Sequence, residues 1–413
     1  MTAKFSQDRA VIFVSYHCSY PIVSCFTKLG LLRRWMKYIE LKDVCKINMG
    51  QSPDSSSYNN NEDGIPFFQG NADFGERYPI TRVWCNAPTK IAKAEDILIS
   101  VRAPIGALNF AKEECCIGRG LAALTPDRSK MSLEFIYWFL KGKKVELNSK
   151  GTGSTFKAIS RKVLEEIMVP DIDFDMQYKY AGILEKIHSV IQMRKQELDE
   201  LDKLMQARFV ELFGSPVSNP MSWEKRTLKE VCKKLNDGTH FSPESFETGA
   251  YKYVTAKNIK LTGFDFSNIT YVPEEVHRPI FDRCNPEFED VLYIKDGATT
   301  GIAMVNTLDE EFTLLSSVAL LKQDRSIMNG YFLTALLNNE DMYLDIRNSM
   351  GGAAITRLTI AKLNAIKVIV PPMILQNRFS DFVKQIDKSK VAIQQALEQE
   401  QLLFDSLMQK YFG

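Results

Sequence analysis

The stretch QYKYAGILEKIHSVIQMRKQELDELDKLMQARFVELFG, residues 177–214, returns as QNRFSDFVKQIDKSKVAIQQALEQEQLLFDSLMQKYFG, residues 376–413, without a gap and at a constant shift of 199. Gln177 answers to Gln376, Ile187 to Ile386, Gln196 to Gln395, Leu198 to Leu397, Leu204 to Leu403, and Phe213-Gly214 to Phe412-Gly413. The register extends upstream, where Ile159-Ser160, Leu164, Ile167 and Val169 are answered by Leu358-Thr359, Leu363, Ile366 and Val368. A self-match at one long period marks an internal duplication. The chain is therefore read as two copies of one unit, each closing in the same long element.

That element reads as a helix. Between Gln177 and Phe213 there is no proline and one glycine, Gly182, and apolar residues recur at close to 3.5-residue spacing. Gly214 and Pro216 end it, as a glycine followed by a proline does at helix C-termini. Some thirty-six residues at 1.5 Å each make a rod of roughly 55 Å, long for a helix within one domain and suited to a spacer. The apolar stripe is imperfect, with Arg194, Arg208, Lys390 and Glu400 at core-like heptad positions. One reading is a solvated helix lying on its own domain. The sharper one pairs the two long helices as an antiparallel coiled coil through Leu184, Ile187, Ile191, Leu198, Leu201, Val383, Ile386, Leu397 and Phe404.

The repeats open at Trp35 (WMKYIELKDVCKINMGQSP) and Trp223 (WEKRTLKEVCKKLNDGTH), separated by the Pro-bearing linker 215–222. Short apolar runs bounded by turn residues, DILIS and LAALT in the first copy and DVLYI and VALLK in the second, read as strands. The expected fold is thus α+β: two tandem β-rich mixed α/β domains, 35–176 and 223–375, each followed by a long helix, 177–214 and 376–413. Residues 1–34 have no counterpart ahead of the second copy and read as an N-terminal extension outside the fold. Its apolar run, broken by His17, Pro21 and Lys28, carries no small-residue cleavage site.

Composition narrows the function. A net charge of +1 excludes a polycation, so nucleic-acid binding has to come from a local patch or from a partner. Eight cysteines without C-x2-C pairs and four scattered histidines offer no zinc site and suggest reduced cytoplasmic thiols. Cys45 and Cys232 fall at matching places, as small core residues would. There is no phosphate loop, G-x-S-x-G elbow, H-E-x-x-H or Asn-Pro-Pro-aromatic tetrapeptide. Acidic pairs such as Asp73/Glu76, Glu113/Glu114 and Glu289/Asp290 read as surface charges or turn caps. The expectation is a non-catalytic chain with no metal site.

Binding features are richer. Seven basic residues fall between Lys141 and Lys162 against one acidic, Glu146, around the loop Gly151–Thr155. The second copy keeps the paired glycines of that loop in 348–357 with less charge. Gln69, Asn71, Arg77 and Tyr78, with Arg102, Lys150, Ser154, Thr155 and Lys157, are candidate DNA contacts in the first copy. Lys257, Asn258, Lys260 and Arg357 are candidates in the second. Amide and guanidinium groups suit base edges, and lysines suit phosphates.

The tandem openings, GIPFFQGNADF followed by DILISVRAPIG and IGRGLAAL, the lead-in 159–177 repeated at 358–376, and the long helices ending in LFG and YFG occur together over residues 35–413. In this combination the chain resembles a specificity subunit of a type I restriction–modification enzyme. The resemblance implies two target recognition domains, each reading one half of a bipartite, asymmetric double-stranded DNA site, with the helices as a ruler between them. It implies docking of modification (methyltransferase) subunits and a restriction (nuclease/translocase) subunit, which hold the methyl donor, ATP and magnesium, while this chain carries no cofactor. DGATTG in the second copy against RAPIG in the first implies that the halves read different sequences. Two other classes compete: an autonomous methylase or nuclease, disfavoured by the missing motifs, and a coiled-coil adaptor that never touches DNA.

Overall fold

The computed structural model describes residues 37–153, 157–348 and 357–413; Trp35 and the extension 1–34 lie outside them, as do Ser154 and Thr155. The chain divides into two compact units, one of residues up to Ser189 together with Gln401–Gly413, the other Val190–Glu400.

In the first unit a four-stranded antiparallel sheet runs in the order Cys45–Met49, Leu121–Pro126, Ile97–Ser100, Leu108–Phe110. Ile97–Ser100 is buried at every position, so it reads as a continuous apolar run rather than an alternating one. Tyr38–Glu40 pairs antiparallel with Met168–Pro170, which closes the start of the repeat onto its end. Helix Leu133–Gly142 starts at Ser132, whose hydroxyl accepts from Phe135 N–H at 3.1 Å, and its residues from Phe135 to Leu140 are buried.

The second unit repeats the plan. Its sheet runs Cys232–Asp237, Val318–Gln323, Val291–Ile294, Ala303–Val305. Lys225–Thr227 pairs with Lys367–Ile369, and helix Gly330–Asn338 is capped by Asn329. The copies part in what surrounds the sheet. The first carries a five-stranded mixed sheet. The second carries a three-stranded one and the helix Glu274–Arg283, whose buried His277 stacks on Tyr251 at 3.8 Å. Cys45 is buried and Cys232 half-buried; burial pushes both thiols up to about 12, so they serve as packing residues. Of the two readings given to the acidic pairs, Asp290 takes the turn cap: it is fully buried, and its carboxylate accepts from Glu287 N–H at 2.9 Å.

The long helices span Phe174–Phe213 and Met373–Phe412, forty residues each, starting three residues ahead of the expected Gln177 and Gln376. Leu184, Ile191, Val383, Ile386 and Phe404 are buried, whereas Ile187, Leu198, Leu201 and Leu397 are half-buried. Within the second unit Arg194 Nε stands 3.6 Å from Glu400 Oε1, Lys390 pairs with Asp202, and Phe209 packs edge-on against Phe379 at 5.6 Å. Within the first, Tyr180 stacks on Tyr411 at 4.0 Å, and Phe404 packs edge-on against Trp138.

The ends of the long helices are built into the globular cores. Phe213 sits against Phe332 at 4.7 Å in the second unit, and Phe412 against Phe135 at 5.7 Å and Phe139 at 5.8 Å in the first. The repeated F-G ending is therefore a packing signal. The residues between helix and second repeat are equally ordered: Trp223 Nε1 donates to Phe213 O at 3.0 Å, and Asn219 brackets Trp223 with two hydrogen bonds. Among the described residues no helix is long and apolar enough to cross a membrane, and no cluster of metal-ligating side chains occurs.

The matched glutamines explain themselves here. Gln177 Oε1 accepts from Ser132 N–H at 2.7 Å, and its Nε2 donates to Ile172 O at 2.8 Å. Gln376 Oε1 accepts from Asn329 N–H at 2.9 Å, and its Nε2 donates to Pro371 O at 2.8 Å and Ile327 O at 3.0 Å. Both side chains are buried, so losing either amide strands a backbone N–H. Gln177→Ala and Gln376→Ala should each cost about 1–3 kcal/mol. The check is denaturant unfolding of the full chain, in which the two variants should lose similar amounts.

Candidate nucleic-acid interface

In the first unit four loops meet at one end of the four-stranded sheet. They are the turn after Cys45–Met49, the loop after Ile65–Phe68, the loop after Ile97–Ser100, and the Gly118–Gly120 turn that enters Leu121–Pro126. Backbone bonds tie them together: Gly50 N to Leu121 O at 2.9 Å, Gly118 N to Phe68 O at 2.8 Å, Gly120 N to Gln69 O at 3.1 Å, and Val101 N to Gly120 O at 2.9 Å. Lys157 joins the same end, because its carbonyl accepts from Ala103 N at 3.1 Å. The approach needs glycine. A Cβ on Gly118 would fall 2.5 Å from Gln69 Oε1, and one on Gly120 would fall 2.5 Å from Gln69 O.

This end collects Gln69, Asn71, Arg102 and Lys157, and adds Arg119, Ser52 and Gln51, which sequence reasoning passed over. Arg119 was legible only as the centre of Gly118-Arg119-Gly120, where the flanking glycines signal a tight approach. Arg102, Arg119 and Lys157 are exposed and have no hydrogen bond or ion pair from their side chains among the described residues.

The remaining first-copy candidates do not join them. Arg77 pairs with Glu185 of the long helix at 2.5 Å and lies over the Phe110 ring, with exposed Tyr78 beside it in sequence. Lys150 pairs with Glu146 at 2.7 Å. The basic run 141–162 is largely spent locally. Lys141 lies over Trp138, while Lys143, Arg161 and Lys162 pair with Glu146, Glu165 and Glu166, which leaves Lys144 and Lys157 unpaired among the described residues.

The corresponding end of the second unit is chemically different. Ser316 N donates to Thr239 O at 2.8 Å, Lys295 N to Ser317 O at 2.9 Å, and Leu358 N to Lys295 O at 2.8 Å, so the same loops converge. Where the first unit has buried Val101 and exposed Arg102, the second has buried Lys295 and half-buried Asp296. Lys295 Nζ lies 2.8 Å from Asp296 and 3.4 Å from the buried Asp237, which also meets His240 at 3.2 Å and Arg283 at 3.6 Å. A lysine this buried needs such partners, since its charge has lost water. Arg357 is tied to Asp296 at 3.3 Å, and Lys260 stands 3.9 Å from Asp265. Lys257 is exposed and unpaired among the described residues. Asn258 is a correction to its reading as a DNA contact: it is buried, its Oδ1 accepts from Thr255 N and Oγ1 at 3.0 Å, and its Nδ2 donates to Asp265 O.

Comparison with known proteins follows the duplication. The family model described as the type I restriction modification DNA specificity domain matches twice, over residues 34–203 and 220–402. The MjaX specificity subunit of Methanocaldococcus jannaschii is 42% identical over 158 residues, 38% of this chain and 37% of that protein. The type I restriction enzyme MjaIX specificity subunit of the same organism is 22% identical across 93% of this chain and 94% of its own length. The crystal structure of the type I restriction-modification system S subunit from M. genitalium superposes with a TM-score of 0.62 at 17% identity, covering 92% of this chain and 96% of that one. At that identity the likeness speaks for a shared fold.

Proposed function

Because the chain belongs to the family of type I restriction modification DNA specificity domains, we propose that it is the non-catalytic specificity subunit of a restriction–modification complex. Each recognition unit reads one half of a split, asymmetric DNA site. The observation that carries this reading is the double match, one copy of the domain on each repeat. The convergent loop end of the first unit supports it, because three unpaired cations beside an exposed amide suit phosphates and a base edge together. Its partners are double-stranded DNA, modification subunits that supply the methyl donor, and a restriction subunit that uses ATP and magnesium. The setting is the cytoplasm, where that DNA is.

In this reading the long helices pair antiparallel as a coiled coil and act as the ruler between half-sites. Support comes from their contacts, in which residue numbers fall on one helix as they rise on the other: 194 with 400, 202 with 390, 209 with 379. Forty residues at 1.5 Å each make a rod of about 60 Å, longer than one DNA turn of roughly 34 Å. The half-sites are then separated by a spacer whose bases are not read. Inserting one heptad into both helices adds about 10 Å and should lengthen that spacer by about three base pairs at 3.4 Å each.

The deciding experiment is a methylation map of genomic DNA from cells that carry this chain with its modification subunit, against cells that lack the chain. The expected result is adenine methylation at one split motif that disappears with the chain. An unchanged map, with both proteins soluble, would sink the specificity reading in favour of a non-DNA adaptor. The cations give a second measure: Arg102→Ala, Arg119→Ala and Lys157→Ala should weaken binding across all sequences. Each cation that contacts a phosphate should lower the slope of log affinity against log salt by about 0.9.

A further inference from the structure

The exposed side chain of Gln69 is held far more firmly than a loop amide in water requires. Its Nε2 donates to Ser52 Oγ at 3.0 Å, and its Oε1 accepts from the same hydroxyl at 3.1 Å. That hydroxyl also accepts from Arg119 N–H at 3.3 Å. One donor and two lone pairs are all a serine hydroxyl has, and all three are used. The backbone of Gln69 is pinned as well, its N–H donating to Asp73 Oδ2 at 2.7 Å and its carbonyl accepting from Gly120 N–H. Gly118 and Gly120 close on it from the other side, at distances no larger residue could keep.

Immobilising an exposed polar side chain forfeits rotamer entropy and gains little against water. The arrangement makes sense for a contact prepared in advance, since a site ordered before binding does not lose that entropy on binding. The chemistry of the partner follows from Ser52. Toward the amide the hydroxyl presents one donor and one acceptor side by side. Adenine presents the same pair in the major groove, N6–H and N7, whereas guanine presents two acceptors, O6 and N7. Exchanging Ser52 for adenine leaves both amide atoms satisfied. Exchanging it for guanine sets Oε1 against an acceptor. Arg102, Arg119 and Lys157, exposed around the same loops, supply the phosphate contacts that would seat the duplex.

Among the described residues the second unit shows no such device. After its strand Tyr251–Val254 comes Thr255, whose hydroxyl donates to Asn258 Oδ1 at 3.0 Å and accepts from Lys257 N–H at 3.3 Å within its own turn. The contact belongs to one half-site only.

We propose that Gln69 reads an adenine in the half-site bound by the first recognition unit, with Ser52 as a positioning residue that stands in for the base edge until DNA arrives. The inference rests on the specificity reading above. The test is to capture a randomised duplex pool with the full chain bound to its modification subunit, and to sequence the retained DNA. Gln69→Ala should flatten one A·T column in one half-site, costing roughly 10- to 100-fold in preference there, and leave the other columns intact. Gln69→Glu should move that column toward C·G, because a carboxylate accepts from cytosine N4. Ser52→Ala should blunt the same column, and Ser52→Thr should retain it. A Gln69→Ala pool with every column intact overturns the proposal. So does one in which all columns fade together, which would make Gln69 a residue of general grip. If the unaltered chain itself selects no split motif, the specificity reading falls first and this inference falls with it.

Discussion

Each repeat depends on one buried amide. Gln177 and Gln376 stand in the first turn of their long helices, where each accepts from the N–H of the residue that caps the neighbouring short helix and donates to a carbonyl just ahead of its own helix. A helix N-terminus carries unsatisfied N–H groups, and a buried one has to find partners inside the protein. Glutamine is long enough to reach across and has both a donor and an acceptor at its tip. The consequence is local: hydrogen bonds hold the first turn of each long helix to the start of its neighbouring short helix.

Around that constraint the duplication held the scaffold and let one end change. The sheet order, the strand that closes each repeat, the capped short helix and the aromatic helix endings recur in both units. At the loop end, Val101 becomes Lys295, Arg102 becomes Asp296 and Arg119 becomes Ser316, counting by the strand register. The first end is left with free cations and a prepared amide. The second ties Lys295 and Arg283 to acidic partners in a network centred on Asp237, with Lys257 left exposed. A buried ionic network is a weak stabiliser against an apolar core and a strong constraint on geometry. Its placement beneath the loops suits residues that shape a surface.

The heptad exceptions have a local cause. Arg194 lies beside Glu400, Lys390 pairs with Asp202, and Arg208 spreads over the Phe382 ring at 6.0 Å. Leu204 remains half exposed, and Leu198 and Leu201 are only partly covered. Arginine and lysine can lay their apolar stems along such a seam and keep the charge at its edge. Within the second unit these charges have partners on the facing helix segment, so a shift there would strand a charge.

The duplication, the two long helices, the two inner strands of each four-stranded sheet and the absence of catalytic motifs were legible in the amino-acid sequence. Each rests on periodicity or local propensity, and these survive in any one stretch of chain. The sequence also marked Gln69, Arg102 and Lys157 as polar loop residues, on the same footing as Arg77, Lys150 and Asn258. Only the tertiary structure separates them. Arg77 and Lys150 find carboxylates, Asn258 is buried in its own turn, and Gln69 meets Ser52 from 17 residues away, while Ser52 accepts from Arg119 N–H, further away still. Whether a polar side chain is spent inside the protein or left facing water depends on which distant loops fold beside it, and no local pattern records that.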